Sequence, residues 1–375
     1  MWMRCSVPSK KSSADIVVDA RMIRHSGIGT YLRGILSEYP AHRYFQNHSL
    51  GLALSQKLLH DVNGLTPNLF SFESPIYSLS EQAHYLSLLN QARVWHAPHY
   101  NIPYFKKKAR LVVTIHDLIH WIFRKEYYSS LQSVYARVFL NRVVQLADKI
   151  IAVSNQTKDD LIQFFKARPE KIEVIYEGVS PSFFQAPEIR EQKEMAKKYD
   201  LPERYFLYVG LIKPHKNVKR LVDIFLDLKA ENKIKADLVL VGKKDAGYFL
   251  KIGAGVHHYP YVESQKELAC LYASALSLIH PSFYEGFGLT CLEAMATGTP
   301  VIVSRVASLP EVVGEAGYYI DPYQEDTIRA ALIELDENES LRRDLTEKGK
   351  LRARQFNWKK AAEKTIQVYQ EVLGS

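Results

Sequence analysis

PSFYEGFGLTCLEAMATGTPVIVS, residues 281–304, reads as a glycine-rich loop, a helix and a buried strand in direct succession. Gly286 and Gly288 permit backbone geometries that bulkier residues resist. No Ser, Thr, Asp or Asn stands before Leu289 as a cap, so the first-turn amides have no side-chain partner in the local sequence. A bound anion or hydroxyl would fill that role, aided by the helix dipole. Gly298 and Pro300 then stop the helix. Two carboxylates bracket the element, Glu285 in the loop and Glu293 in the helix. A carboxylate accepts hydroxyl hydrogen bonds well, whereas nothing local raises either group into the range of a general acid.

The same alternation of apolar run, polar turn and amphipathic helix extends in both directions. Strands are expected at DIVVD (15–19), VVTIHD (112–117), KIIAVS (149–154), KIEVIYEG (171–178), YFLYVG (205–210), ADLVLVG (236–242), SALSLIHPS (274–282) and PVIVS (300–304). Helices are expected within GIGTYLRGILSEY (27–39), SLQSVYARVFLNRVVQLA (130–147) and WKKAAEKTIQVYQEVL (358–373). Val/Ile-rich runs between helices indicate parallel sheets covered on both faces, an α/β fold. QAPEIREQKEMAKKYDLPER (185–204), with its prolines and charges, reads as the boundary between two Rossmann-like halves. In such sheets ligands bind beyond the carboxyl ends of the strands.

The composition is that of an ordinary globular chain: 375 residues, 47% hydrophobic, 24% charged and a net charge of +8. At ~150 residues per domain, two domains are the simplest division. Disorder, a collagen-like or disulfide-scaffold architecture and a membrane-spanning bundle are excluded; no apolar run reaches the ~18 residues that a membrane helix needs. Cys5, Cys270 and Cys291 fit no metal or redox spacing and read as reduced thiols. MWMRCSVPSKKSSA (1–14) lacks the apolar core of a secretion signal and reads as a disordered arm, giving a cytoplasmic expectation. The basic excess suits a phosphate-bearing ligand or an anionic membrane face, and no RNA-binding motif accompanies it. Lys106-Lys107-Lys108 with Arg110 reads as a solvated loop, with contact to a membrane or an anionic acceptor as the alternative.

Three further segments carry candidate chemistry. In YVGLIKPHKNVKRLVDIF (208–225) a strand ends at Gly210, and Lys216 sits just before a helix, placed to neutralise an anionic leaving group. In RHSGIGTYLRGIL (24–36), Gly27 and Gly29 head a helix, but Leu32 stands where a dinucleotide fingerprint needs its third glycine, which disfavours a nicotinamide cofactor. In TIHDL (114–118), His116 and Asp117 lie at a strand end. His96 and His99 in WHAPHYNIPYF (95–105) lack a third ligand at metal-binding spacing. Ser154 reads as a helix cap.

EGFGLTCLE matches the E-x7-E motif of retaining glycosyltransferases of family 4, and the flanking PS, AMATGTPVIVS and LPEVVGEAGYYIDP (309–322) resemble that family too. The resemblance covers roughly residues 15–373 and is stronger in the second half. It implies the glycosyltransferase type B fold: two facing Rossmann-like domains, a central cleft and a C-terminal crossover helix. The implied bounds are 15–190 for an acceptor-binding domain, 191–357 for a nucleotide-sugar-binding domain and 358–375 for a helix packing back on the first. The implied activity is transfer of a hexose from a nucleotide sugar to a glycan or lipid-linked acceptor. YVGLIKPHKN and IHDL look most like mannosyltransferases of surface polysaccharide synthesis, making GDP-mannose the expected donor and UDP-sugars the alternative. By carry-over, Glu285 contacts donor-sugar hydroxyls, Glu293 the ribose, and the Gly286, Phe287 and Gly288 amides the sugar or phosphate. Lys216 holds the diphosphate beside Gly210, Gly27 and Gly29 close over it, Val262 reads the base through its backbone, and His116 lies beside the transferred sugar. Leu211 stands where many members have an arginine, with His215 before the lysine. The chain has no Asp-x-Asp motif, so no metal and no other cofactor is expected. A non-catalytic basic binding module is the alternative of another class.

Overall fold

The computed structural model describes residues 13–62, 67–104, 108–127 and 129–374. Most of the N-terminal arm, Cys5, Lys106 and Lys107 lie outside the described residues. The chain divides into two compact units. The first runs to Trp121, resumes over Ser129–Tyr176 and takes in the chain from Trp358 onward. The second is Glu177–Asn357 together with the segment after Trp121.

The first unit is built on seven strands: β1 (Ala14–Asp19), β2 (Leu50–Leu54), β3 (Asn68–Ser71), β4 (Ala92–Ala97), β5 (Arg110–Ile115), β6 (Lys149–Ala152) and β7 (Ile172–Val174). All pair in parallel, in the order β3-β2-β1-β4-β5-β6-β7. Val17 of β1 sits between Gly51 and Trp95. The order reverses beside β1, whose neighbours are β2 on one side and β4 on the other. A crevice therefore opens after β1 and β4.

The second unit holds β8 (Tyr205–Val209), β9 (Asp237–Val241), β10 (Val256–Tyr259), β11 (Ser277–His280), β12 (Val301–Ser304) and β13 (Gly317–Ile320), all parallel, in the order β10-β9-β8-β11-β12-β13. Phe206, Leu238, Ile279 and Ile302 from four neighbouring strands enter one core with Leu221, Phe225, Leu332 and Leu335 from the covering helices. The reversal here falls between β8 and β11.

The chain changes units at Tyr176/Glu177, ahead of the 190/191 boundary expected from sequence. Phe183 is buried and packs edge-on against Tyr272 at 6.1 Å, which draws the chain into the second unit early. The 185–204 stretch is not mere linker: it contains the helix Ile189–Lys198, started by a capping box between Glu188 and Glu191.

The C-terminal helix Trp358–Leu373 buries Trp358, Ala361, Ala362, Thr365, Ile366 and Tyr369 in the first unit. Tyr369 Oη lies 2.9 Å from Tyr39 Oη and 2.6 Å from His96 Nδ1. Gly34, on the helix Ile28–Glu38, makes this approach possible: a Cβ there would lie 2.1 Å from the Trp358 ring. Gly34→Val is expected to destabilise the chain by about 1–3 kcal/mol through overpacking, read by denaturant unfolding, with Trp358 fluorescence shifting toward the exposed range. Unchanged stability would mean the two helices do not pack through this glycine.

Candidate active site

The topological reversal in the second unit places the loops after β8 and β11 next to each other. The loop after β8 tightens into the turn Pro214–Lys216, and Asn217 in the left-handed conformation (φ 59°) turns the chain into the helix Val218–Ala230. The loop after β11 leads to Gly288, whose φ of 108° favours glycine, and then to the helix Leu289–Thr297. A backbone hydrogen bond from Phe283 N–H to the His215 carbonyl, 2.9 Å, ties the two loops together.

Lys216 and Glu285 meet across this junction. Lys216 Nζ lies 2.6 Å from Glu285 Oε1 and 2.7 Å from Oε2. Glu285 is buried and Lys216 only partly so. Burial disfavours the ionised carboxyl, but the Lys216 charge and then His280 hold it well below the usual carboxylate range. Ser308 Oγ donates to the carbonyls of Glu285 and Phe287, 2.9 and 3.1 Å, fixing the loop from the far side. No side chain caps the helix behind Gly288, in agreement with the sequence reading. Glu293, on that helix, accepts from Tyr272 Oη at 3.0 Å. Burial and this carboxylate hold the Tyr272 phenol well above its ordinary range. Gly210 follows β8 with φ 148°, and its carbonyl would meet a Cβ on Gly242 at 1.9 Å. Val262 follows β10, just before the helix Gln265–Ser274 capped by Ser264. His215 is buried and stacks on Phe123 at 6.3 Å, while Leu211 stands exposed.

The candidates of the first unit lie at the carboxyl ends of its own strands. Gly27 (φ 37°) and Gly29 follow β1; a Cβ on Gly29 would lie 2.4 Å from the Ile23 carbonyl oxygen, so only glycine fits. Tyr31, on the helix they start, packs edge-on against His116 at 5.0 Å. The His116 carbonyl accepts from Thr157 Oγ1 at 3.4 Å. Ser154 caps the helix Asn155–Phe165 by accepting from Thr157 N–H. His96 is fully buried, with Nε2 2.8 Å from Thr114 Oγ1, and burial pushes it down to about 3.

Two features escaped the sequence reading. One is His280, the last residue of β11, whose Nε2 lies 2.6 Å from Glu285 Oε1. The other is a buried network after β1 and β4. Arg21 reaches Asp19 and Glu81 at 2.6 Å each, and Asn101 donates to Glu81 at 2.6 Å. Asp19, Arg21, His99 and Asn101 line a small cavity there. A strand-end histidine next to a glycine-rich loop was a usable signal for His280; nothing local links Arg21 to Glu81.

Residues 26–183 match the family profile described as Glycosyltransferase Family 4, and residues 189–352 that described as Glycosyl transferases group 1. O-antigen chain mannosyltransferase B of Escherichia coli is 32% identical over 287 residues, 74% of each chain. O-antigen chain mannosyltransferase RfbU of Salmonella typhimurium is 30% identical over 253 residues, 64% of each chain. The structure of HepE from Anabaena in complex with UDP and glucose superposes with a TM-score of 0.76 at 17% identity, over 95% of this chain and 99% of that one, a likeness of fold. Two parallel Rossmann-like sheets with these matches define a glycosyltransferase of the type B fold. The chain belongs to glycosyltransferase family 4.

The depressed Glu285 ionisation has a defined pH signature. A carboxyl whose folded pKa lies below its unfolded value stabilises the fold fully above the unfolded value, about 4.5, and loses that contribution as pH falls toward the folded one. Glu285→Gln is expected to cost about 1–3 kcal/mol at neutral pH by leaving Lys216 without its anion. In urea melts the gap to the wild type stays constant down to about pH 5 and narrows below it. A gap that widens on acidification would reverse the sign of the assignment.

Proposed function

We propose that this glycosyltransferase moves mannose from GDP-mannose to a growing polysaccharide or lipid-linked saccharide, with retention of anomeric configuration and no need for a metal ion. One observation carries the reading: an ammonium and a buried carboxylate meet at 2.6 Å in front of a helix whose first-turn amides have no side-chain cap. A sugar diphosphate fits that set. Lys216 and the amides of Gly286, Phe287 and Gly288 neutralise the phosphates, the part a divalent cation plays elsewhere. Glu285 accepts sugar hydroxyls and Glu293 the ribose hydroxyls. Val262 lies on the base side, Gly210 leaves room beside the phosphates, and Gly27, Gly29 and His116 keep the roles that the family resemblance gives them. The acceptor oxygen attacks the anomeric carbon on the face from which the diphosphate departs. As the bond from anomeric carbon to phosphate oxygen breaks and the new glycosidic bond forms, the acceptor proton passes to the departing phosphate oxygen. No protein nucleophile is then needed.

The O-antigen mannosyltransferase relatives support mannose and a polysaccharide acceptor. The UDP and glucose in the HepE structure favour a UDP-sugar as the second reading. Thermal unfolding against GDP, GDP-mannose, UDP and UDP-glucose, each with and without EDTA, separates them. The proposed donor adds about 2.7 kcal/mol of stability at 100 times its dissociation constant, unaffected by EDTA. In Lys216→Ala that gain is lost and turnover falls by about 2–4 kcal/mol of transition-state stabilisation. The one-bond C1–H1 coupling at the product's anomeric carbon reports retention. A shift with UDP alone replaces the donor, and loss with EDTA removes the metal-free mechanism.

The acceptor side of the reading includes peripheral contact with an anionic bilayer at the cytoplasmic face. Among the described residues no helix is long and apolar enough to cross a membrane. The helix Ser130–Leu146 leaves Leu131, Val134 and Val138 exposed by 84%, 59% and 40%, at i, i+3 and i+7 on one face. It carries Arg137 and Arg142 and no carboxylate. Tyr135 on this helix packs against Tyr77 at 5.3 Å, next to the exposed Leu79. Across residues 77–110 and 129–147 the sequence has one acidic residue, Glu81, and that one is buried on Arg21. An apolar stripe with basic and no acidic company complements an anionic lipid surface. The full chain is expected to sediment with phosphatidylglycerol-containing vesicles, less so at high salt, and not with phosphatidylcholine alone. Leu131→Gln with Val134→Gln is expected to abolish this without lowering the melting temperature. Equal binding to both vesicles, or a concentration-dependent dimer that the double variant dissolves, would overturn the assignment.

A further inference from the structure

His280 ends β11, between β8 and β12, and its ring is buried. Its Nε2 lies 2.6 Å from Glu285 Oε1, and its Nδ1 lies 3.3 Å from Thr290 Oγ1 in the first turn of the helix Leu289–Thr297. Glu285 is ionised, so it only accepts, and His280 donates to it from Nε2.

The two oxygens of Glu285 are not equivalent. Oε1 receives both Lys216 Nζ and His280 Nε2, while Oε2 receives Lys216 Nζ alone. Lys216 is thus shared over the carboxylate, and His280 is pinned to one side of it. A diphosphate entering the site competes for the ammonium, because two or more phosphate charges outweigh one carboxylate. Once Lys216 turns to the phosphates, a carboxylate buried with no other partner would be free to rotate or to take up a proton.

We propose that His280 is a positioning residue for donor-sugar recognition: it keeps Glu285 fixed through Oε1 while Lys216 is transferred to the diphosphate, leaving Oε2 aimed at a sugar hydroxyl. This rests on the nucleotide-sugar reading given above. His280 then acts on recognition of the sugar and only weakly on recognition of nucleotide and phosphates.

The test compares the affinity of a nucleoside diphosphate with that of its nucleotide sugar, by thermal shift and calorimetry, in wild type, His280→Phe and His280→Gln. In the wild type the sugar adds affinity over the diphosphate. In His280→Phe the ratio of the two affinities is expected to fall about tenfold, the loss of one hydrogen bond to a charged group. His280→Gln, whose amide still donates, recovers most of it. A structural role would weaken both ligands in proportion and leave the ratio unchanged, which overturns the proposal. A wild type that no nucleotide stabilises overturns the donor reading instead, before any variant is compared. Should His280→Phe fail to fold, ¹⁵N chemical shifts of the wild-type ring decide: a proton on Nε2, with and without nucleoside diphosphate, is the expected pattern. The opposite tautomer overturns the proposal.

Discussion

Parallel pairing forces each chain to leave its strand at the same edge, and where the strand order reverses, two neighbouring chains must part in opposite directions. In the second unit this happens between β8 and β11. The β8 loop turns toward β9 and the β11 loop toward β12, so the space above the two strand ends is left to side chains alone. Lys216 and Glu285 fill it from either side, and the Phe283–His215 backbone hydrogen bond sets how far apart the loops can spread. The helix at Leu289 begins at that edge with no cap, since Gly288 has no side chain to supply one. Topology therefore brings an ammonium, a carboxylate and a helix start without a side-chain cap to one place before any chemistry is considered.

The energetics of that pair explain why it suits exchange. Two charges 2.6 Å apart attract by about 6 kcal/mol at an effective dielectric constant of ~20. Withdrawing them from water costs several kcal/mol per ion. The balance is near break-even, so a buried pair of this kind adds little to stability, while removing one member leaves an uncompensated charge. Replacing the carboxylate by a ligand phosphate keeps Lys216 compensated throughout. Glu285 needs its own compensation at that moment, and the buried His280 N–H is the group within reach.

Much of this was legible because it is local. The glycine-rich loop, the missing cap and the apolar runs of β1, β5, β8, β9, β11 and β12 are written in consecutive residues, and the helix Trp358–Leu373 was read to the residue. The inner strands β2 (LGLAL) and β4 (ARVWHA) were also missed, and the other misses are non-local or atypical. Edge strands β3 (NLFS) and β10 (VHHY) carry polar residues, and β13 (GYYI) lacks a β-branched residue before its last position. They are strands because a neighbour pairs with them, not because their own pattern demands it. The helix at 189–198 hid among prolines and charges because its burial reduces mainly to Met195. The unit change at 176/177 depends on Phe183 finding Tyr272, 89 positions along the chain. His280 showed its residue type but not its partner, since the strand direction that points it at Glu285 follows from the sheet.

Arg21, buried, and Lys216, partly buried, show how residue choice separates a fixed charge from a movable one. Arg21 spends its planar fork inside the protein: Nε and Nη2 on Asp19, Nη2 also on Tyr85 and Glu81, and Nη1 toward the Ser74 carbonyl. It also lies 3.5 Å over the Phe72 ring. Two carboxylates face this one guanidinium, and burial leaves the Glu81 carboxyl above its ordinary value despite it. Such a group cannot be turned toward a ligand without abandoning several partners at once. Lys216 is a point charge on a flexible stem, and among the described residues its side chain holds Glu285 alone. Turning it toward a ligand would cost one partner, and that partner also holds His280. The first unit thus uses arginine to lock the ends of β1 and β4, whereas the second joins the ends of β8 and β11 through a single lysine–carboxylate pair, which the proposed diphosphate would have to open.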